Sequence, residues 1–201
     1  MTTSDSTSKL QTIVGSALLA VGVAVFFVRM LHEGAYAVPR GGNLIGGLGA
    51  LLLGGLLVWP AVPRALGWVA LAASPVVLFM ALYAVMSELE EVVSLYAIDS
   101  AGRPAELRLW IIDEDDGEWV GVSREKAIEH SLDGARLELL RSGETRCVTP
   151  VLFEDRPTVR RIHASKVEKY AVAQGAAAIG LYPSEARDEA VALRLDPCLE
   201  E

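Results

Sequence analysis

Residues 105–123 read AELRLWIIDEDDGEWVGVS. Over Ala105–Asp113, Leu107, Leu109 and Ile111 alternate with Arg108, Trp110 and Ile112. That period of two places one set on each face of a β-strand. Asp115-Asp116-Gly117 then marks a hairpin, because aspartate and glycine accept the tight backbone of a short turn. Glu118–Ser123 returns as the next strand.

Working outward, Val92–Asp99 reads as a preceding strand, joined through the turn Ser100-Ala101-Gly102. Downstream, Arg124–Leu132 forms a short helix closed by Asp133-Gly134. Ala135–Arg141 and Glu144–Phe153 make a second hairpin about Ser142-Gly143. Pro157 opens a helix at a favoured first-turn position. That helix turns Val159, Ile162, Val167 and Tyr170 to one face, sets Arg160, Arg161, Lys166 and Lys169 mostly elsewhere, and fades near Gln174-Gly175. Ala190–Leu195 is the last strand. This order predicts a small closed or nearly closed α+β barrel with a flanking helix.

The first half of the chain obeys a different solvent. The chain has 201 residues, is 52% hydrophobic and carries 18 basic and 26 acidic side chains. Of these, only Lys9, Arg29, Arg40, Arg64, Asp5 and Glu33 precede Met86, so the first part carries about +2 and the remainder about −10. Three apolar segments, about Ile13–Leu31, Asn43–Trp59 and Ala65–Met86, approach or reach the roughly 20 residues needed to cross a bilayer. The first is too long for a signal-peptide core and lacks a small-x-small cleavage pattern, so it reads as a retained helix. The expected division is a polar tail at 1–11, three transmembrane helices at 12–87 and a soluble domain at 88–201.

In the second span, Gly42, Gly46, Ala50 and Gly54 recur every fourth residue, which lines small side chains along one helical face. Such a ridge serves packing against the chain's own first and third spans, or docking against a partner's transmembrane helix. Gly15 and the Ala20/Ala24 pair offer a weaker version on the first span. No span carries a charge near its centre, and Ser74-Pro75 supplies at most a kink. Pumps and transporters need intramembrane polar groups or broken helices. The spans therefore read as an anchor or assembly surface in an inner or plasma membrane. Lys9 and Arg64 fall on one side, and Arg29, Arg40 and the soluble domain on the other. The basic-residue bias leans toward a cytoplasmic C-terminal domain.

An acidic domain without a basic stripe is not expected to bind nucleic acid. Cys147 and Cys198 form no Cys-x-x-Cys motif and are expected as ordinary packing or surface residues. His32, His130 and His163 lack metal-ligand spacing. The run Asp113-Glu114-Asp115-Asp116 lacks the spacing of a calcium loop and reads as a solvated turn. No serine sits in a nucleophile-elbow pattern.

The runs Gly102–Trp110, Ser142–Arg146 and Val191–Pro197 resemble the flavin-binding split barrels, most nearly the deazaflavin-dependent nitroreductase branch related to pyridoxamine phosphate oxidases. The resemblance covers about Leu95 to Cys198 and implies a split-barrel fold. In that family Arg, Lys and Ser side chains at the end of the third strand hold the cofactor phosphate. The matching positions here are Ser123, Arg124 and Lys126, with Arg108 on the neighbouring strand. The family also carries a longer, aromatic segment between the third and fourth strands, where this chain has only Arg124–Gly134. A shortened wall would leave a flavin ring poorly buried.

Two functions follow as expectations. The first is a non-catalytic accessory or assembly subunit of a larger membrane complex, of the electron-transport kind, with a degenerate barrel and no cofactor. Its partners would be transmembrane subunits and the lipid bilayer. The alternative is a membrane-anchored oxidoreductase using FMN or deazaflavin on a quinone-like substrate.

Overall fold

The computed structural model describes residues 3–31 and 41–198. His32, Glu33 and Arg40, which entered the counts above, lie outside them. The chain divides between Leu89 and Glu90 into two compact units.

The first unit holds three helices, α1 (Thr3–Met30), α2 (Gly41–Val58) and α3 (Arg64–Leu89). Each contains a segment long and apolar enough to cross a membrane: Ser8–Met30, Gly41–Val58 and Arg64–Leu89. α1 begins at Thr3, within the stretch read as a tail. Glycines set the closeness of the packing. A Cβ on Gly54 would lie 2.8 Å from the Gly15 carbonyl oxygen, and one on Gly15 would lie 2.8 Å from Leu57 Cβ. A Cβ on Gly46 would meet the Met80 backbone at 3.3 Å, and Ala50 is fully buried. Three of the four ridge residues are therefore used within the bundle, while Gly42 has open space around it. Pro75 lies inside α3 and cannot donate to the Leu71 carbonyl one turn earlier. The Ser74 hydroxyl donates to that oxygen instead, at 2.7 Å.

The second unit is a closed antiparallel barrel with strand order β1-β2-β3-β6-β5-β4. The strands are β1 (Val92–Ile98), β2 (Pro104–Glu114), β3 (Gly117–Ser123), β4 (Leu137–Arg141), β5 (Glu144–Phe153) and β6 (Ala190–Pro197). Helix α4 (Arg124–Glu129) follows β3, and α5 (Arg156–Lys169) and α6 (Ala171–Ala178) precede β6. The closed α+β barrel expected from the alternation is thus present, and it fits the split-barrel-like fold that the resemblance implied. Leu107, Leu109 and Ile111 join Val93, Leu95, Val120, Leu139, Val148 and Leu193 inside the barrel. Ile112 and Trp119 face outward and pack with Val159 and Ile162 of α5 in a second apolar layer. The β4–β5 turn places Ser142 and Gly143 at φ +52° and +81°, the paired left-handed conformation of a two-residue hairpin.

Two features depart from the sequence reading. The helix after Pro157 is broken at Tyr170, whose backbone is extended. The Tyr170 hydroxyl sits 2.5 Å from the Ile111 carbonyl and 2.9 Å from that of Glu91, and its ring stacks on Trp110 at 4.9 Å. Anchoring this residue to the barrel takes precedence over continuing the helix. The cysteines are not independent residues either. The β5–β6 register pairs Val148 with Pro197, which sets Cys147 opposite Cys198, and the two form a disulfide.

Candidate functional site

Helix α5 crosses the outer face of β3 and β6. Asp155 caps it, with a carboxylate oxygen accepting from the Thr158 amide at 3.0 Å. This start fixes the helical phase. Val159, Ile162, His163 and Lys166 fall at i, i+3, i+4 and i+7, one stripe facing the sheet. The first two complete the apolar layer. The last two, with the connection from Leu181 to Glu189 and the outward residues Gly121 and Ser123, line a cavity of about 370 Å³.

The cavity's chemistry is mixed. The His163 ring lies parallel to Tyr182, with centroids 5.6 Å apart and planes 4° apart. His163 Nε2 is 2.9 Å from the Pro183 carbonyl, which only accepts, so Nε2 carries the hydrogen. Burial lowers the pKa of this imidazole, leaving it neutral near pH 7. Tyr182 is held protonated, its pKa raised to about 12 by burial.

Lys166 is the unusual member. Its Nζ lies 5.5 Å from the centroid of Tyr182, and no carboxylate pairs with it among the described residues. Desolvation lowers its pKa to about 8. A Cβ on Gly121 would sit 3.6 Å from Nζ, already in contact, so a side chain larger than alanine's would crowd the ammonium. Arg187 adds a second cation at the rim, against one carboxylate, Glu189.

The residues expected to hold a cofactor phosphate are not gathered here. Ser123 borders the cavity and also caps α4, accepting from the Lys126 amide at 3.3 Å. Arg124 pairs with Glu154 at 3.1 Å and lies in a second depression with Glu125, Glu129, Asp188 and Glu189, an acidic setting for a phosphate. Lys126 and Arg108 border neither cavity. The β2–β3 ladder runs only from Ile111/Val120 to Glu114/Gly117, short of Arg108. Sequence reading missed Lys166 and His163 by placing Lys166 off the apolar face. Their i+3 and i+7 positions after Val159 were the available signal.

A second polar cluster has an architectural role. Arg141 lies 2.6 Å from each of Glu91, Asp113 and Glu118, and Lys169 lies 2.6 Å from Glu91 and 3.0 Å from Asp113. The Arg141 hydrogen bond, opposed by partial desolvation, holds the Asp113 pKa down at about 2. Asp113 is thus an ion-pair partner, and Asp116 accepts from Trp119 Nε1 at 2.9 Å. The acidic run is therefore more than a solvated turn. Among the described residues no group of three or more His, Cys, Asp or Glu side chains gathers around a metal-sized space.

No protein-family model matches this chain, and no curated protein does. Among solved structures it is similar to HutZ, described as the heme storage protein from Vibrio cholerae, at 17% identity and a TM-score of 0.40, covering 55% of this chain and 83% of HutZ. It is also similar to ChuZ from Campylobacter jejuni, at 9% identity and a TM-score of 0.37, covering 64% of this chain and 61% of ChuZ. The expectation of a barrel that holds no cofactor is corrected. A described heme storage protein is among these neighbours. The shortened segment that motivated the expectation also borders none of the cavity, whose walls are α5, the Leu181–Glu189 connection and the facing residues of β3 and β6.

Proposed function

We propose that this protein is a membrane-anchored binding protein whose barrel domain holds a ring-bearing organic anion between α5 and the β3–β6 face. The observation that carries it is Lys166, an ammonium in a half-apolar cavity to which no carboxylate is paired among the described residues. Burying a cation costs free energy that folding does not recover unless a partner arrives. A ligand anion supplies that partner, the flat Tyr182/His163 pair offers a surface for a ring, and about 370 Å³ suits a small organic ligand. The accessory-subunit reading rested on a degenerate barrel and on the α2 ridge as a docking face, the alternative to packing within the bundle. The cavity and the internal use of Gly46, Ala50 and Gly54 leave it less support.

The experiment is titration of the detergent-solubilised full chain with FMN, a ring bearing a phosphate, and with heme, a ring bearing carboxylates. Absorbance and Trp quenching are the readouts. Saturable binding by either, weakened about 10–100-fold in Lys166→Met, is expected for loss of one charge-assisted contact. Absence of binding by both, or binding unchanged by the substitution, refutes the assignment.

The disulfide bears on localisation. Cross-strand bridges persist in oxidising compartments and are rare in the cytosol. The charge bias is small, and Arg29 is engaged by Glu88 at 3.6 Å. The Cys147–Cys198 bridge therefore favours a barrel on the oxidising face of the membrane, the reverse of the orientation expected from basic residues. A C-terminal alkaline phosphatase fusion should be active and a fluorescent-protein fusion dark. The opposite pattern places the barrel in the cytoplasm.

A further inference from the structure

At the end of the bundle where α2 hands over to α3, a crevice of about 660 Å³ opens between α1, the 59–62 turn and the first turns of α3. Its lining contrasts with the described helix faces along the spans, where Val23, Phe27, Ile45 and Val76 are exposed. Its polar lining is Ser8, Gln11, Thr12 and Arg64, and its apolar lining includes Trp59 and Trp68. Arg64 pairs with no carboxylate among the described residues, and no acidic side chain lines the crevice. The Gln11 amide is admitted by Gly67, where a Cβ would lie 2.9 Å from Nε2. Thr12 donates its hydroxyl to the Ser8 carbonyl at 3.0 Å, which leaves the Thr12 oxygen as an acceptor only.

These groups occupy a definite level. Arg64 begins a candidate span and Val58 ends another, so the crevice sits where hydrocarbon gives way to headgroups. Trp59 and Trp68 are 65% and 55% exposed, as amphipathic rings are at that level. Exposed Leu52, Leu66 and Val69 continue the apolar surface of α2 and α3 along the spans.

We propose that this crevice is a binding site for the headgroup of an anionic phospholipid. The lipid phosphate takes the Arg64 guanidinium and the Gln11 amide, and the acyl chains lie along the apolar faces of α2 and α3. An unpaired arginine beside amide and indole donors matches a phosphodiester flanked by hydrocarbon. A free phosphate would share the polar contacts but gain nothing from the apolar surface. This site is separate from the barrel cavity, and its assignment does not depend on the ligand proposed there.

The test uses the full chain in mild detergent, delipidated and then offered phosphatidylglycerol with an excess of phosphatidylcholine, bound lipid being read by native mass spectrometry. Preferential retention of phosphatidylglycerol is expected, with about tenfold less in Arg64→Gln. Gly67→Leu, which fills the space held by Gln11, should also reduce retention. Equal retention of the two lipids refutes the site. So does unchanged phosphatidylglycerol retention in a folded Arg64→Gln protein. Full displacement of the lipid by inorganic phosphate would assign the crevice to a free anion and overturn the lipid reading.

Discussion

Lys166→Met is expected to make the barrel more stable while weakening its ligand. The lysine's pKa falls from an ordinary 10.5 to about 8 on burial. At 1.36 kcal/mol per pKa unit that is a penalty of about 3 kcal/mol on the charged form. Contact with Tyr182 and residual water offset part of it, so removing the charge should contribute about 1–2 kcal/mol at pH 7. For a domain of this size that is a rise of about 4–8 °C in Tm. The sign of the pH dependence is fixed. The unfolded chain binds the extra proton between about pH 8 and 10.5, so wild-type stability from this group increases as pH rises through that window. Methionine keeps the apolar stem and removes the titration. The advantage of Lys166→Met should be full below pH 8 and vanish by about pH 10.5. Thermal unfolding of the full chain in detergent, followed by near-ultraviolet circular dichroism at pH 7 and pH 10, reads both quantities. A variant less stable than wild type at pH 7, or a gain independent of pH, would show that the ammonium is already solvated or paired.

Three further outcomes follow from the packing and the charges. Gly54→Ala forces a Cβ to within 2.8 Å of the Gly15 carbonyl and should cost about 1–3 kcal/mol in detergent unfolding, whereas Gly55→Ala meets nothing within 4 Å and should be neutral or slightly stabilising. Equal effects would show that α1 and α2 do not meet at Gly54. The folded-state pKa of Asp113 is depressed from 3.8 to about 2, so its stabilisation is present above about pH 4 and lost toward pH 2. Because Asp113 is half-exposed, Asp113→Asn should cost no more than about 1 kcal/mol at pH 7 and nothing near pH 2, checked by thermal melts at both values. Reducing the Cys147–Cys198 bridge, which joins residues 51 apart, should lower stability by up to about 4 kcal/mol on a chain-entropy basis, and the double serine variant should melt unchanged with or without reductant.

The strands were legible because Leu107, Leu109 and Ile111 obey a period that only one geometry satisfies, with one face inside a barrel. The three helices long and apolar enough to cross a membrane were legible from length and composition. The helix break at Tyr170 was not, because it depends on two carbonyls contributed by Ile111 and Glu91, 59 and 79 residues away. The disulfide was hidden for the same reason. Cys147 and Cys198 are neighbours only through the β5–β6 register, which no local spacing announces. The cavity was half visible. The stripe Val159, Ile162, His163, Lys166 can be counted from the chain alone, but a charged residue on it reads as a misfit until the sheet opposite is known.

Arg141 and Lys166 show how the fold separates architecture from binding. Both cations are partly withdrawn from water in the same domain. Arg141 touches Glu91, Asp113 and Glu118, drawn from the start of the domain and from β2 and β3, so its charge holds distant segments together. Such a network is complete, and a ligand entering it would have to displace a protein carboxylate. Lys166 has a ring on one side, a glycine on the other and a cavity in front. Its hydrogen-bonding capacity is left for something outside the chain, and Gly121 keeps it so, because a larger residue there would crowd the ammonium. Gly121→Val should therefore diminish ligand binding while leaving the Arg141 network and the barrel core intact. Unimpaired ligand affinity in that variant would mean that the anion does not reach Lys166 through this space.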